Sequence, residues 1–329
     1  LLISRLVLIV IGLVAVAFEP NPLFPEKEMV ARGYAYSENP LIDMWARHDS
    51  GWYYTIVKYG YYMRGDTETT QSNIAFFPLY PYLVKLVSSI KPNAGVNFIL
   101  FCGIALSNLF AAVSLTLLTK LIRQMGFDDA TADRSAWYLA FFPTSLFLSS
   151  FYTESLYLML SVGMFLAAAR DKWWLAGACG FLLALTRSNV VTAAVAVAVL
   201  YMEKRNWDFR KIRWDVLWIG LMPLGLVLFL AGLMPITGDF WATVQIHDAW
   251  SHQFMWPWET FLNPIGPVPV NTPINQGLTL IFLALALVAL TRLPHKAYGV
   301  YCLLSIFMFL STGIFYSTAR YLMVLFPAF

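Results

Sequence analysis

The chain has 329 residues, 59% hydrophobic and 12% charged, with a formal net charge of +3 and a mean hydropathy of +0.63. Soluble domains run near 45–50% apolar and about 25% charged, so this composition excludes an ordinary soluble globule, a disordered chain and a nucleic-acid binder, and points to a multi-spanning membrane protein. Aromatic residues make up 16%, with 12 Trp and 17 Tyr, which suits membrane interfaces and sugar-binding surfaces.

A spanning helix needs about 20 apolar residues. The first candidate is 2–18, read as a span and not a signal peptide because only EPNPLFPEKE follows it, with no cleavage-site pattern. The chain opens on Leu and stops inside the apolar run RYLMVLFPAF, as a piece trimmed at both ends would. Residues 19–95 form a long loop in which Lys27, Arg32, Arg47, Lys58, Arg64, Lys85 and Lys91 face eight acids. Its amphipathic segments DMWARHDSGWYYTIVKYGYY and AFFPLYPYLVKLVSSI are expected to lie along the outer leaflet. The next span is 97–119. Residues 136–169 are apolar but interrupted by Pro143 and by Thr153-Glu154, and 174–202 by Thr186-Arg187-Ser188-Asn189. Each is either one long helix or two short ones. Spans at 216–236, 277–292 and 297–313 follow, and a last one starts near 319. Cys102, Cys179 and Cys302 sit in apolar runs without metal-ligand spacing and read as buried thiols.

Loop charge decides between long and broken helices, because Lys and Arg accumulate on the cytoplasmic side. The loops 120–134, 170–172, 203–215 and 292–296 are all basic, whereas 237–276 contains no Lys or Arg. Placing every basic loop inside requires an even number of crossings between each pair. That holds if 136–151 and 154–169 form one hairpin and 174–186 and 190–202 another. Both hairpin tips then face outside, with Glu154 and Arg187. Helices this short are tolerated where they line a water-filled cavity. The alternative is a long tilted helix with Arg187 snorkelling to the interface. The loops 19–95 and 237–276 are external in either reading. Long loops translocate whatever their charge.

The strongest chemical constellation is ARHDSGWYYTIVKYGY, residues 46–61. If a helix begins at Ser50, Asp49 stands at its start and shares one face with Trp52 and Tyr53. Rings that cover the apolar face of a sugar, beside a carboxylate that takes a hydroxyl proton, make a sugar-handling site. The plainer alternative is that Asp49 only caps the helix and the rings anchor it at the interface. Arg187 and Arg320 offer planar forks that match phosphate bidentately; alternatively they form an internal ion pair, with Glu154 as partner. Glu154 is expected to line the cavity. Gln245 and Trp250, in the uncharged loop, suit sugar recognition, and His252 stands beside them; interface packing is the alternative. His247-Asp248 is a lone pair of possible metal ligands. The chain has no D-x-D, no H-x-x-x-H, no Gly-rich phosphate loop and no dinucleotide motif.

HDSGWYYTIVKYGY followed by NIAFFPLYPYLVKL resembles the first external loop of the PIG-V-like mannosyltransferases, the GPI mannosyltransferase II-like family within the GT-C glycosyltransferases. SSFYTESLYLMLS, LAGACGFLLALTRSNVV, QIHDAWSHQF followed by PW, and STARYLMVLFPAF resemble its later segments, in order along most of the chain. Three positions depart from the family pattern. His48 stands where Trp is usual, Ser188-Asn189 where Pro-Thr follows the Arg, and His252 where Arg is common. The resemblance implies a polyprenyl-phosphate sugar donor used on the extracytoplasmic face, with the acid of the first external loop, here Asp49, as general base.

The expectation is an all-α polytopic membrane protein of the GT-C fold, a single transmembrane domain over 1–329 with about ten helices, several short or broken. It is expected in the plasma membrane, with its site facing outside. The expected reaction is inverting transfer of mannose from polyprenyl-phosphate mannose to a lipid or glycan acceptor. Asp49 is the base, Arg187 and Arg320 contact the donor phosphate, and Trp52, Tyr53, Glu154, Gln245, Trp250 and His252 contact sugar or acceptor. No metal, cofactor or nucleic-acid partner is expected. The rivals are another sugar or acceptor on the same scaffold, a lipid or solute transporter, and a non-catalytic scaffold.

Overall fold

The computed structural model describes residues 1–18, 35–63, 65, 70–265 and 271–329. Lys27, Arg32 and Arg64 of the first long loop lie outside the described residues. The described chain is helical throughout, with no strand among the described residues.

Helix α1 (Leu2–Phe18) is followed by a single turn, α2 (Pro40–Asp43), whose Asn39 side chain accepts the Leu41 N–H at 3.0 Å. Then come α3 (Ser50–Tyr59), α4 (Leu79–Ser88) and α5 (Val96–Gln124). Asp128 caps α6 (Asp129–Ala140) by accepting the Thr131 N–H at 2.8 Å. The chain breaks there at Pro143 and resumes as α7 (Glu154–Ala169), α8 (Trp173–Ala184) and α9 (Val190–Glu203). A 3₁₀ stretch at Trp214–Gly220 leads into α10 (Leu221–Thr237), and two short helices follow, α11 (Ala242–Gln245) and α12 (Pro257–Leu262). The chain ends with α13 (Thr272–Arg292), α14 (Ala297–Leu310) and α15 (Thr318–Met323). Val96–Gln124, Trp214–Thr237 and Thr272–Arg292 are long and apolar enough to cross a membrane, and five shorter apolar helices accompany them. This is a polytopic membrane protein.

Helix α7 is the hub. It packs on α5, α8 and α9, and 13 of its 16 residues are buried. A helix apolar all round belongs inside such a bundle. Phe165, Tyr157, Tyr298, Tyr301 and Phe326 fill the space between it and α14. Glycines on both sides let α8 pack closely on α10 and on the 3₁₀ stretch before it. A methyl group at Gly225 would stand 2.7 Å from the Phe181 carbonyl oxygen, and one at Gly177 would collide with the backbone of Trp218.

The four basic loops gather at one end. Arg170 Nε donates to Gln124 Oε1 at 3.3 Å, Lys204 pairs with Asp171 at 2.7 Å, and the Lys296 and Ala297 N–H groups donate to the Glu203 carboxylate at 2.8 and 3.2 Å. The breaks at 150–153 and 186–189 lie at the other end of α7 and α9, as charge parity requires. Helices α7, α8 and α9 have 16, 12 and 14 residues, or about 24, 18 and 21 Å, each short of a bilayer core of about 30 Å.

Three expectations need correction. Helix α3 does not lie along a surface: Ser50 through Val57 are buried, because its aromatics pack inward against α4 and the 73–76 turn. The exposed apolar edge lies on α4, at Tyr82 and Leu86, and continues at Ile90 just beyond it. Of the buried tip Tyr152-Thr153-Glu154, only Tyr152 lines the cavity described below, and Glu154, expected at its wall, is fully buried beneath it. The expected span from 319 is a six-residue helix that gives way to a 3₁₀ turn at Phe326–Ala328, where Pro327 lacks the N–H an α-helix would need.

Candidate active site

Where the broken helices end, they enclose a cavity of about 1000 Å³. Seven pieces of chain meet there: the start of α3, the 71–77 stretch, the break before α7, the break before α9, the 247–252 turn, the start of α13, and the α14–α15 junction. The shortness of the helices is what leaves this space.

Asp49 lines the cavity at the N-cap position of α3, yet its side chain makes no cap hydrogen bond. Its Oδ2 instead pairs with Arg320 Nη1 at 3.2 Å. Tyr152 fixes the backbone around it. The phenol accepts the Asp49 N–H at 2.9 Å and donates to the Arg47 carbonyl at 2.9 Å. Between them His48 takes φ +54, a left-handed conformation that turns Asp49 into the cavity. Ser251 (φ +62) and Ser317 (φ +59), both also cavity residues, share this conformation. Such residues cost about 1–3 kcal/mol each and cluster at functional sites.

The two arginines converge on one buried carboxylate. Arg320 Nε stands 3.1 Å from Glu154 Oε1, and Arg187 pairs with the same oxygen while its Nε donates to Thr153 Oγ1 at 3.1 Å. The result is an alternating chain of charge, Asp49–Arg320–Glu154–Arg187, neutral overall. Glu154 is fully buried beneath it. Tyr321 ties the arginines together. Its ring lies 5.4 Å from Arg187 Cζ and 5.0 Å from Arg320 Cζ, and its hydroxyl accepts from Arg320 Nη2 at 3.1 Å. The ion-pair alternative is the one seen here, and it leaves both arginines at the cavity.

The aromatic wall differs from the simple shared-face picture. Tyr53 lines the cavity with Phe76 and Trp250, but Trp52 stands behind them, stacked on Phe76 at 5.9 Å and edge-on to Trp250 at 5.9 Å. Trp52 therefore backs the wall and does not form it. Gln245 is exposed on α11, away from the cavity lining, while His252 and Trp250 belong to it. Burial, with the neighbouring His247, pushes His252 down to about 4. Sequence reasoning did not single out Gln71, Asn189, His247 or Tyr321 as contacts, although all line the cavity. Asn189 and His247 stood out in the sequence for other reasons, as a helix-break residue and a possible metal ligand, Tyr321 only adjoins Arg320, and Gln71 carries no signal. Among the described residues, no three His, Cys, Asp or Glu side chains converge as metal ligands would.

A profile of the mannosyltransferase (PIG-V) family matches residues 19–234, which hold Asp49, Glu154 and Arg187. Arg320 and the 247–252 turn lie beyond the match. The chain is also similar to a GPI mannosyltransferase 2 of Drosophila pseudoobscura pseudoobscura, 28% identical over 131 residues, which is 38% of this chain and 28% of that protein's length. The matched segment thus spans well under half of that relative. No solved structure matches the chain significantly.

Proposed function

The chain belongs to the mannosyltransferase (PIG-V) family, and on that premise we propose that it is a GT-C glycosyltransferase moving mannose from polyprenyl-phosphate mannose to a lipid or glycan acceptor, at the extracytoplasmic face of the plasma membrane. The observation that carries this reading is the chain Asp49–Arg320–Glu154–Arg187 at a cavity wall, a carboxylate base joined to two phosphate-matching forks. The position of the cavity, at the end away from the basic loops, supports the sidedness.

The acceptor hydroxyl oxygen attacks the anomeric carbon on the side away from the phosphate, and its proton passes to the Asp49 carboxylate. The bond from that carbon to the phosphate oxygen breaks, the phosphate keeps the electron pair, and the configuration inverts. A phosphate leaving group needs no acid to protonate it; it needs cations, which Arg187 and Arg320 supply. Arg320 holds Asp49 in the ion-paired chain. An arriving phosphate competes for Arg320 and frees the Asp49 carboxylate for the acceptor hydroxyl once the donor is seated. Glu154 and Asp49 together balance the two guanidiniums before donor arrives.

The test is transfer by the purified, reconstituted protein given polyprenyl-phosphate mannose and candidate glycolipid acceptors, followed by mass spectrometry and by NMR of the new anomeric centre. The expected product gains one hexose with inverted configuration. Donor carried across the bilayer without any product would replace this reading with the transporter.

A further inference from the structure

Two imidazoles in the cavity have no part in the chemistry above. His247 and His252 line it with ring centroids 5.4 Å apart. The turn between them is fixed on every side. The Ser251 N–H donates to the Asp248 carbonyl at 2.8 Å and the His252 N–H to the His247 carbonyl at 3.2 Å, with Ser251 left-handed between them. Gln71 Nε2 donates to the Ala249 carbonyl at 3.2 Å, which ties the turn to the first long loop. The Trp250 ring is braced edge-on by Trp52 at 5.9 Å and by Phe76 at 6.1 Å.

The ring of His247 is held in one tautomer. Its Nδ1 lies 2.9 Å from the Thr243 carbonyl oxygen. A carbonyl only accepts, so Nδ1 carries the proton and Nε2 is a lone-pair acceptor. Nε2 has no partner among the described residues. Burial pushes this imidazole below its ordinary range, so the ring is neutral at physiological pH. A neutral acceptor offers nothing to a phosphate. Its complement is an O–H donor, and a ring face lies beside it, with Trp250 at 6.5 Å between centroids.

We propose that His247 is a carbohydrate-binding residue whose Nε2 accepts a hydrogen bond from a sugar hydroxyl, with Trp250 covering the apolar face of the same ring. The proposal rests on the reading that this cavity handles sugars. The hydroxyl belongs either to the donor mannose or to the acceptor glycan, and the experiment separates the two.

The variants are His247→Phe, which keeps the ring and removes the acceptor, and His247→Gln, whose carbonyl keeps an acceptor near the Nε2 position. Octyl α-mannoside is titrated into the whole protein and followed by tryptophan fluorescence, to which Trp250 contributes. One neutral hydrogen bond corresponds to a loss of about 3- to 10-fold in affinity. The Phe variant should show that loss and the Gln variant should stay within about twofold of the parent, with melting temperatures close to parental. In transfer assays, a raised KM for polyprenyl-phosphate mannose in the Phe variant assigns the hydroxyl to the donor. A raised acceptor KM assigns it to the glycan. In both cases kcat should change less than KM. Equal glycoside affinity in all three proteins, or no saturable response in the parent, overturns the proposal. Glycoside binding that depends on His247 in a protein that forms no product would overturn mannosyl transfer and leave this site standing. Should the Phe variant not fold, the ¹⁵N resonance of His247 Nε2 in labelled parent protein decides: it moves on adding glycoside, or the proposal fails.

Discussion

Glu154 is buried under two guanidiniums, and it shows what a single residue does here. Removing one partner of a buried charge cluster costs about 3–5 kcal/mol, because the remaining charges lose their compensation. Glu154→Gln should therefore lower the melting temperature markedly and depress transfer. A parental melting curve would show that solvent, not Glu154, neutralises the arginines. Arg187 differs in kind, since its side chain also reaches the cavity. Arg187→Ala should weaken donor use about 10- to 100-fold, the range of one lost charge-assisted contact of roughly 1.5–3 kcal/mol. Arg187→Lys should lose less, because it keeps the charge and gives up only the fork. Equal donor KM values for both variants and the parent would make Arg187 purely structural. His252 gives a pH signature. Its folded value is depressed from 6.5 to about 4, so folding is favoured fully above about pH 6.5 and that contribution is lost as pH falls toward 4. The parental melting temperature should drop over this window, and His252→Asn should flatten the drop. Identical pH–melting curves would contradict the burial argument. The four charged residues were each legible in the sequence. The pairing of the arginines with Glu154 was one of two readings, but the link to Asp49 was not legible, because Arg320 reaches Asp49 across 271 positions and hydrophobic periodicity carries no pairing information. The left-handed backbone at His48, Ser251 and Ser317 has no signature either, since none of them is glycine.

At the scale of elements, the breaks were readable and their consequence followed. Counting basic loops required two outward tips, and tips inside apolar runs required short helices, hence a cavity. The burial of α3 was not readable. Its run Trp52-Tyr53-Tyr54 suits an interfacial helix as well as a core one, and only the rings of Phe76, Tyr80 and Tyr152 packed around Tyr53 decide between them. The contact of α8 with α10 gives a sharp test. Gly225→Ala places a methyl group 2.7 Å from the Phe181 carbonyl and 2.9 Å from Ala184 Cβ, so the helices must separate and the melting temperature should fall. Gly232→Ala, in the same helix, meets nothing within 4 Å and should be neutral or stabilising by up to about 1 kcal/mol. Equal melting temperatures for the two variants would mean that the close approach does not hold α8 to α10.

The whole molecule is polar in a specific sense, with basic loops at one end and the cavity at the other. Its orientation in a membrane follows from that charge asymmetry. In a background lacking Cys102, Cys179 and Cys302, cysteines placed at the exposed positions Ser188 and Gln253 should react with an impermeant reagent from outside, and one at Arg210 only after permeabilisation. Outside labelling at Arg210 would invert the orientation and remove the extracytoplasmic site. The clustering of the basic loops was legible in the sequence, because it depends on charge counts and not on contacts.

Everything in the mechanism turns on Asp49 taking the acceptor proton, and single-turnover transfer by Asp49→Asn isolates that step. Asn keeps the shape and caps a helix as well as Asp does, but it cannot take a proton, and general-base catalysis contributes about 10²–10⁴-fold. With saturating polyprenyl-phosphate mannose, the account predicts a rate at least about 100-fold below parental, with donor affinity and melting temperature little changed. A well-folded Asp49→Asn protein that turns over at the parental rate would contradict it.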